Sequence, residues 1–167
     1  MKKIIIDFEM NCIPKREIIE VGAVKLNETN CVVSEFHSYV KPENELNERI
    51  VRITGIHNAD VKDAPTLGAV LNEFFEWCGD DYIIYSWSKN DLQQLMDETV
   101  AKLIFNSDLD KAFLHWRDYQ FEFGQLINYP GELSLRNAVA AVGHSLKGKH
   151  HSAIDDARNT AEIFIFA

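Results

Sequence analysis

Lys3-Ile4-Ile5-Ile6-Asp7-Phe8-Glu9 reads as one buried strand, because it is short, β-branched and ended by polar residues. Two of its positions do not suit a core. Side chains alternate along a strand, so Asp7 and Glu9 point to one face, about 6.5–7 Å apart along it. Carboxylates so placed raise each other's pKa, and desolvation opposes their ionisation. A strand that places two acids at core-type positions therefore points to a positive partner, and a hard divalent cation with oxygen ligands fits. The alternative is a strand that stops at Ile6 with both acids in solvent. Phe8 between them continues the strand pattern and favours the first reading.

Outward from this strand, residues 18–26 and 31–40 read as two more strands, with a turn by composition at Asn27-Glu28-Thr29-Asn30. Three strands with short connections suggest an antiparallel meander. Helical spacing takes over at Leu67, Val70, Leu71, Phe74, Phe75 and Cys78. Residues 82–87 form a short apolar strand, and Leu92, Leu95, Met96, Val100, Leu103 and Ile104 give a second helical stripe. Residues 112–119 are a candidate fifth strand. Leu135, Ala138, Val139 and Val142 mark a third helix that Gly143 can stop. Ser152-Ala153-Ile154-Asp155 has the capping-box form and opens a last helix. The apolar stripes are read as core, and so is Trp87. A meander followed by alternating helices and strands implies an α/β fold with a mixed sheet and helices packed on it.

The 167 residues suit one domain, residues 1–167, rather than two. With 46% hydrophobic and 26% charged residues, wholesale disorder is excluded. The 17 basic and 26 acidic side chains leave a formal charge of −9. That argues against a non-specific DNA coat or a membrane-surface protein. It leaves open a nucleic-acid enzyme whose positive charge is bound metal. Cys12, Cys31 and Cys78 form no C-x-x-C motif and no disulfide framework, so free thiols in a reducing compartment are expected. Met1-Lys2-Lys3 precedes only three apolar residues, too few for a signal peptide, and no run approaches the ~20 residues of a membrane span. A cytoplasmic protein without membrane contact is expected.

Two further groups of residues carry chemistry. Asp91 follows the strand at 82–87, and ligands bind at the C-terminal ends of strands in α/β sheets; an Asp favoured at a helix start by the macrodipole is the alternative. His151 precedes the last helix and Asp156 lies one turn inside it, so both can face one site. A histidine suits a general base, and Asp156 suits a further metal ligand. His150 and Asp155 have the same spacing, so spacing alone leaves the register open.

Taken together, these residues resemble the DEDDh 3′–5′ exonucleases on the ribonuclease H-like fold. The resemblance runs from Asp7-Phe8-Glu9 through Ile19-Glu20-Val21-Gly22-Ala23-Val24, Ile53-Thr54-Gly55-Ile56, Ala64-Pro65 and Ser86-Trp87 to Asp91. It ends in His151-Ser152-Ala153-Ile154-Asp155-Asp156-Ala157. The family pattern H-x-A-x-x-D-A fits only His151 and Asp156. Asp7-Phe8-Glu9-Met10-Asn11-Cys12 is most similar to the subgroup that trims RNA 3′ ends, related to the histone-mRNA 3′ exonucleases. That subgroup usually has D-F-E-A-T-C. Here Met10, Asn11 and also Ser88 depart from the family pattern, which touches the nucleotide pocket more than the metal ligands.

The resemblance implies a ribonuclease H-like mixed sheet, antiparallel meander plus parallel strands, flanked by helices. It implies a metal-dependent hydrolase that releases nucleoside 5′-monophosphates from single-stranded 3′ ends, RNA favoured over DNA. Asp7, Glu9, Asp91 and Asp156 would hold two Mg²⁺ or Mn²⁺ ions, with His151 as the general base. Met10, Asn11, Thr54 and Ile56 would contact the terminal nucleotide. Two other readings stay open: a DNA-directed proofreading or repair exonuclease, and a regulatory protein-binding module on the same fold. Both monomer and homodimer are compatible with the sequence. Between Leu133 and Ile154 there is no acid, while Arg136, Lys147 and Lys149 lead into His150 and His151, a local charge that favours an incoming phosphate.

Overall fold

The computed structural model describes residues 1–167. Strands β1 (Lys2–Asn11), β2 (Glu17–Leu26) and β3 (Val32–Tyr39) form the antiparallel meander. Strand β4 (Tyr82–Ser86) pairs parallel to β1, and β5 (Trp116–Asp118) parallel to β4. The sheet order is β3-β2-β1-β4-β5. This is the mixed sheet read from the sequence, and it places β1 at the centre.

The alternation along β1 sends its residues to two cores. Ile4, Ile6 and Phe8 pack with the stripe of α3 (Leu67–Cys78), from Leu67 to Cys78 as the spacing predicts. Ile5 points the other way, to Val24, to Ala138 and Val139 of α7 (Leu135–Ala141) and to Ala157, Ala161 and Ile163 of α8 (Ala153–Phe166). Trp87 lies in this second core, its indole N–H donating to the Leu133 carbonyl at 3.2 Å. A third cluster, Ile19, Leu46, Ile56 and Val61, sits under α1 (Glu48–Thr54) and α2 (Asn58–Val61). No helix is long and apolar enough to cross a membrane. The three cysteines are free thiols.

The register of β1 on β2 prepares the site. Directly opposed residues share a face. On the α8 side they are Ile5 with Val24, then Asp7 with Gly22, then Glu9 with Glu20. The face is thus apolar at one end and carboxylate-rich at the other, and α8 crosses it with its N-terminus over the acidic end.

Three expectations are revised, and two short helices are added. Residues 112–119 are not one strand: α5 (Leu109–Leu114) and α6 (Tyr119–Leu126) flank the three-residue β5. Helices α1 and α2 had no signal, since elements of seven and four residues are too short for a periodicity to show. In α4 (Lys89–Ala101) the buried face is largely polar. Asp91, Gln94, Glu98 and Thr99 are inside, whereas Val100 and, just past the helix, Leu103 are 75% and 74% exposed. The polar face is buried because it is satisfied. Glu98 accepts from the Ile18 amide at 2.7 Å, from Gln94 at 3.0 Å and from Lys102 at 2.7 Å, and Lys102 also reaches Glu17 at 3.0 Å. Finally, Ser152 is the N-cap of α8 but its side chain makes no capping bond.

Candidate active site

Glu20 does the work the capping box was expected to do. Its Oε1 accepts from the amide of Ala153, the first residue of α8, at 2.6 Å, while Oε2 pairs with His37 Nε2 at 3.0 Å. A helix N-terminus leaves amides without partners and favours negative charge. Gly22, opposite Asp7, lets the helix approach. A Cβ built there would lie 2.5 Å from the Cα of Ile154 and closer still to its amide nitrogen. The neighbouring pair Glu20 and Gly22 therefore seats α8 on β2, and the helix start carries His151 and Asp156 to β1.

Glu20 also carries negative charge toward Asp7 and Glu9, which separates its two roles. Glu20→Ala leaves the fully buried Ala153 amide without an acceptor, at a cost of about 1–3 kcal/mol. It is expected to melt several degrees below Glu20→Gln, which keeps an acceptor and removes the charge. Calorimetry of the two variants at one pH measures the difference.

Oxygens of Asp7, Glu9 and Asp156 lie within 4.8 Å of one another. Asp91 joins from α4: it is buried, and its Oδ1 accepts from the Phe8 amide at 3.1 Å. That bond holds the carboxylate beside Asp7. Burial, with the neighbouring carboxylates adding to it, drives the Asp7 carboxyl well above its ordinary range and Glu9 up to about 8. Asp91 rises to about 7, mainly by burial, and Asp156 rises for the same reason. Four acids raised by burial, three of them further by carboxylate neighbours, are short of positive charge. The four carboxylates are a hard oxygen donor set of the kind that holds divalent cations, and His150 and His151 lie within ligand reach of the shared Asp156. The residues present thus fit a divalent-cation centre.

Both histidines reach the same acid. His150 Nδ1 lies 3.3 Å from Asp156 Oδ1, and the His151 ring sits 4.0 Å from that of His150. His151 is held in the left-handed region at φ 63°, which turns the chain into α8. Burial and the neighbouring His150 lower the pKa of His151, which favours the neutral ring, the form able to accept a proton.

The four residues expected at the nucleotide pocket are placed differently from one another. Met10 is half-buried at the bulge that shifts the β1 register after Glu9. Asn11 is fully buried; its Nδ2 donates to the Glu45 carbonyl at 3.0 Å and its Oδ1 accepts from the Asn47 amide at 2.9 Å. The Thr54 hydroxyl closes on its own helix, donating to the Ile50 carbonyl at 2.8 Å and accepting from the Ile56 amide at 3.1 Å. Ile56 is in the third core. Asn11, Thr54 and Ile56 are buried as whole residues, and the side chains of Asn11 and Thr54 are committed to partners within the fold.

The model of the RNase T exonuclease family matches residues 4–164, nearly the whole chain. The chain belongs to the exonuclease family. Its curated relatives include a PolC-type DNA polymerase III of Caldanaerobacter subterraneus subsp. tengcongensis, 31% identical over 89% of this chain and 10% of that protein. The ERI1 exoribonuclease 2 of Danio rerio is 32% identical over 95% of this chain and 33% of its own length. The exonuclease chain thus spans a tenth to a third of these two relatives. Among solved structures, the nuclease domain of 3′hExo, described as a DEDDh family member bound to rAMP, superimposes with a TM-score of 0.87 at 24% identity. That match covers 98% of this chain and 90% of that one, so the exonuclease fold here is the ribonuclease H-like fold read from the motifs.

Proposed function

We propose that residues 1–167 act as one 3′–5′ exonuclease domain that hydrolyses the terminal phosphodiester of single-stranded nucleic acid and releases nucleoside 5′-monophosphates, RNA before DNA. The observation that carries this reading is the convergence of Asp7, Glu9, Asp91 and Asp156 at the start of α8 in a chain of the exonuclease family. These four carboxylates would hold two Mg²⁺ or Mn²⁺ ions. Ions so bound supply acidity to a coordinated water and positive charge against the phosphate and the leaving 3′ oxygen. Two ions would also neutralise four of the 26 acids, so the overall charge of −9 is no bar to a polyanionic substrate.

The chain's own groups do the rest. His151, whose neutral form is favoured by burial, takes the proton of the attacking water, while His150 contacts Asp156. The backbone at Met10 and at the Thr54–Ile56 turn lines the place for the chain end, which must be splayed to bring its last phosphate to the acids. The RNA preference is supported by the exoribonuclease among the relatives and by the Asp-Phe-Glu opening of the motif. The polymerase among the relatives favours DNA as the second reading.

A 3′-labelled oligonucleotide with Mn²⁺ tests the reading. Release of 5′-monophosphates is expected, with EDTA stopping it and His151→Ala slowing it about 10²–10⁴-fold. RNA and DNA of equal sequence, assayed side by side, decide the preference; faster cleavage of DNA overturns the RNA assignment. No cleavage with any metal or substrate overturns the enzyme reading in favour of a protein-binding module.

A further inference from the structure

The loop that delivers His151 is fastened at two points. The Lys147 amide donates to Asn159 Oδ1 and its carbonyl accepts from Asn159 Nδ2, both at 2.9 Å. Two residues on, the Lys149 amide donates to Asp155 Oδ2 at 2.9 Å. Gly148, at φ 70°, permits that bond, since a Cβ there would collide with the Asp155 carboxylate. The backbone of Lys149 is therefore fixed while its side chain leaves the loop. The side chain crosses to the turn after α1, where the ammonium donates to the Thr54 carbonyl at 2.6 Å.

The far bank has room for it. Gly55 caps α1 at φ 71°, and a Cβ at this position would overlap the Lys149 ammonium. The cation thus spans from the histidine loop to the 54–56 turn, beside the acids, and its charge acts on Glu9. Its acceptor is a neutral carbonyl. This sets it apart from Lys102, Lys147 and Arg158, each of which is paired with a carboxylate.

We propose that Lys149 is a substrate-contacting residue of the chain-end cleft, whose ammonium leaves the Thr54 carbonyl for a non-bridging phosphate oxygen of the 3′-terminal nucleotide. This rests on the exonuclease reading and adds to it the protein cation that answers the phosphate. A charge-assisted bond to phosphate is about twice as strong as one to a neutral acceptor, which favours the exchange. A compact ammonium on a flexible stem can be re-aimed without moving the fixed backbone. Both partners of the resting contact, Thr54 O and the Gly55 gap, are then features of a parking place.

Calorimetric titration with adenosine 5′-monophosphate in Mg²⁺, with adenosine as the uncharged control, tests this without turnover. Lys149→Gln is expected to weaken monophosphate binding about tenfold while leaving adenosine binding unchanged, and Lys149→Arg to restore most of the loss. On an oligonucleotide, Lys149→Gln is expected to lower kcat/KM about tenfold or more, and Lys149→Arg to restore most of it. Lys149→Gln binding the monophosphate as tightly as the parent overturns the proposal, and so does a parent that does not bind the monophosphate at all. A parent that binds in a Lys149-dependent way yet cleaves no oligonucleotide overturns the exonuclease reading and leaves the phosphate contact standing.

Discussion

Asp7→Asn is expected to reduce release of nucleoside 5′-monophosphates by at least about a thousandfold and, at the same time, to raise the melting temperature of the metal-free protein at pH 8 by on the order of 5 °C. The two effects have one cause. Asp7 stands where Glu9, Asp91, Asp156 and Glu20 all act on it, so it is the shared member of the proposed metal centre. It is also the charge whose removal relieves the most repulsion. The direction of the pH dependence follows from the raised carboxyls. Glu9 moves from 4.5 to about 8 and Asp91 from 3.8 to about 7 on folding. Between those values the folded chain holds protons that the unfolded chain has released, so stability falls as pH rises through the window. The metal-free parent should therefore melt lower at pH 8 than at pH 6. Asp7→Asn should narrow that gap, and Mg²⁺ should raise the melting temperature more at pH 8 than at pH 6. Scanning calorimetry at the two pH values, with and without Mg²⁺, measures all three. An Asp7→Asn variant that melts lower than the parent and still cleaves would show the acids to be ordinary surface charges.

Gly22→Ala is the second large effect, and it acts through packing alone. The added methyl meets main-chain atoms of Ala153 and Ile154, which cannot rotate aside as a side-chain tip could. Overpacking of this kind costs about 1–3 kcal/mol or more, and here the cheapest relief is to lift α8 off β2. Lifting it breaks the bond from the Ala153 amide to Glu20 and withdraws Asp156 and His151 from Asp7 and Glu9. A drop in melting temperature of roughly 3–10 °C is expected together with near-complete loss of activity. Ala at Gly124, where a Cβ meets nothing closer than 3.8 Å, is the control and should cost little. A Gly22→Ala protein with parental stability and activity would contradict the account of how α8 is seated.

The sequence made Asp7 and Glu9 legible because strand alternation turns a polar residue at a core position into an anomaly. It made the α3 stripe legible because an apolar face twelve residues long has enough period to read. The same reasoning was half right about α4: Leu95 is in the core with Leu92 and Ile104 packed against it, but Met96, Val100 and Leu103 are exposed. Gln94 and Glu98 are inside because the Arg16 carbonyl, the Ile18 amide and Lys102 satisfy them, and a partner in another segment leaves no mark on local periodicity. Glu20 escaped a role for the same reason. Its signal was present in the hairpin register, which sets it opposite Glu9, but only after the strands are paired. The burial of Asn11, Thr54 and Ile56 was equally out of reach, because their motif positions carry no information about which way a short turn faces.

Consider what the docking of α8 means for the order in which the molecule becomes active. Asp7 and Asp156 are separated by almost the whole chain, yet they meet only when the last helix closes over the first hairpin. Contacts between distant parts of a chain form late, since loop closure must come first. During synthesis, the meander and α3 can fold while α8 is still inside the ribosome, and domains emerge from the N-terminal side. Such an intermediate holds at most three of the four acids and neither of the histidines. A chain broken off before α8 would keep the two histidines but still lack Asp156 and the helix that seats them. If the domain is the exonuclease proposed, a copy without a docked α8 is therefore harmless to the message that encodes it, and cutting begins only once α8 has closed on the first hairpin.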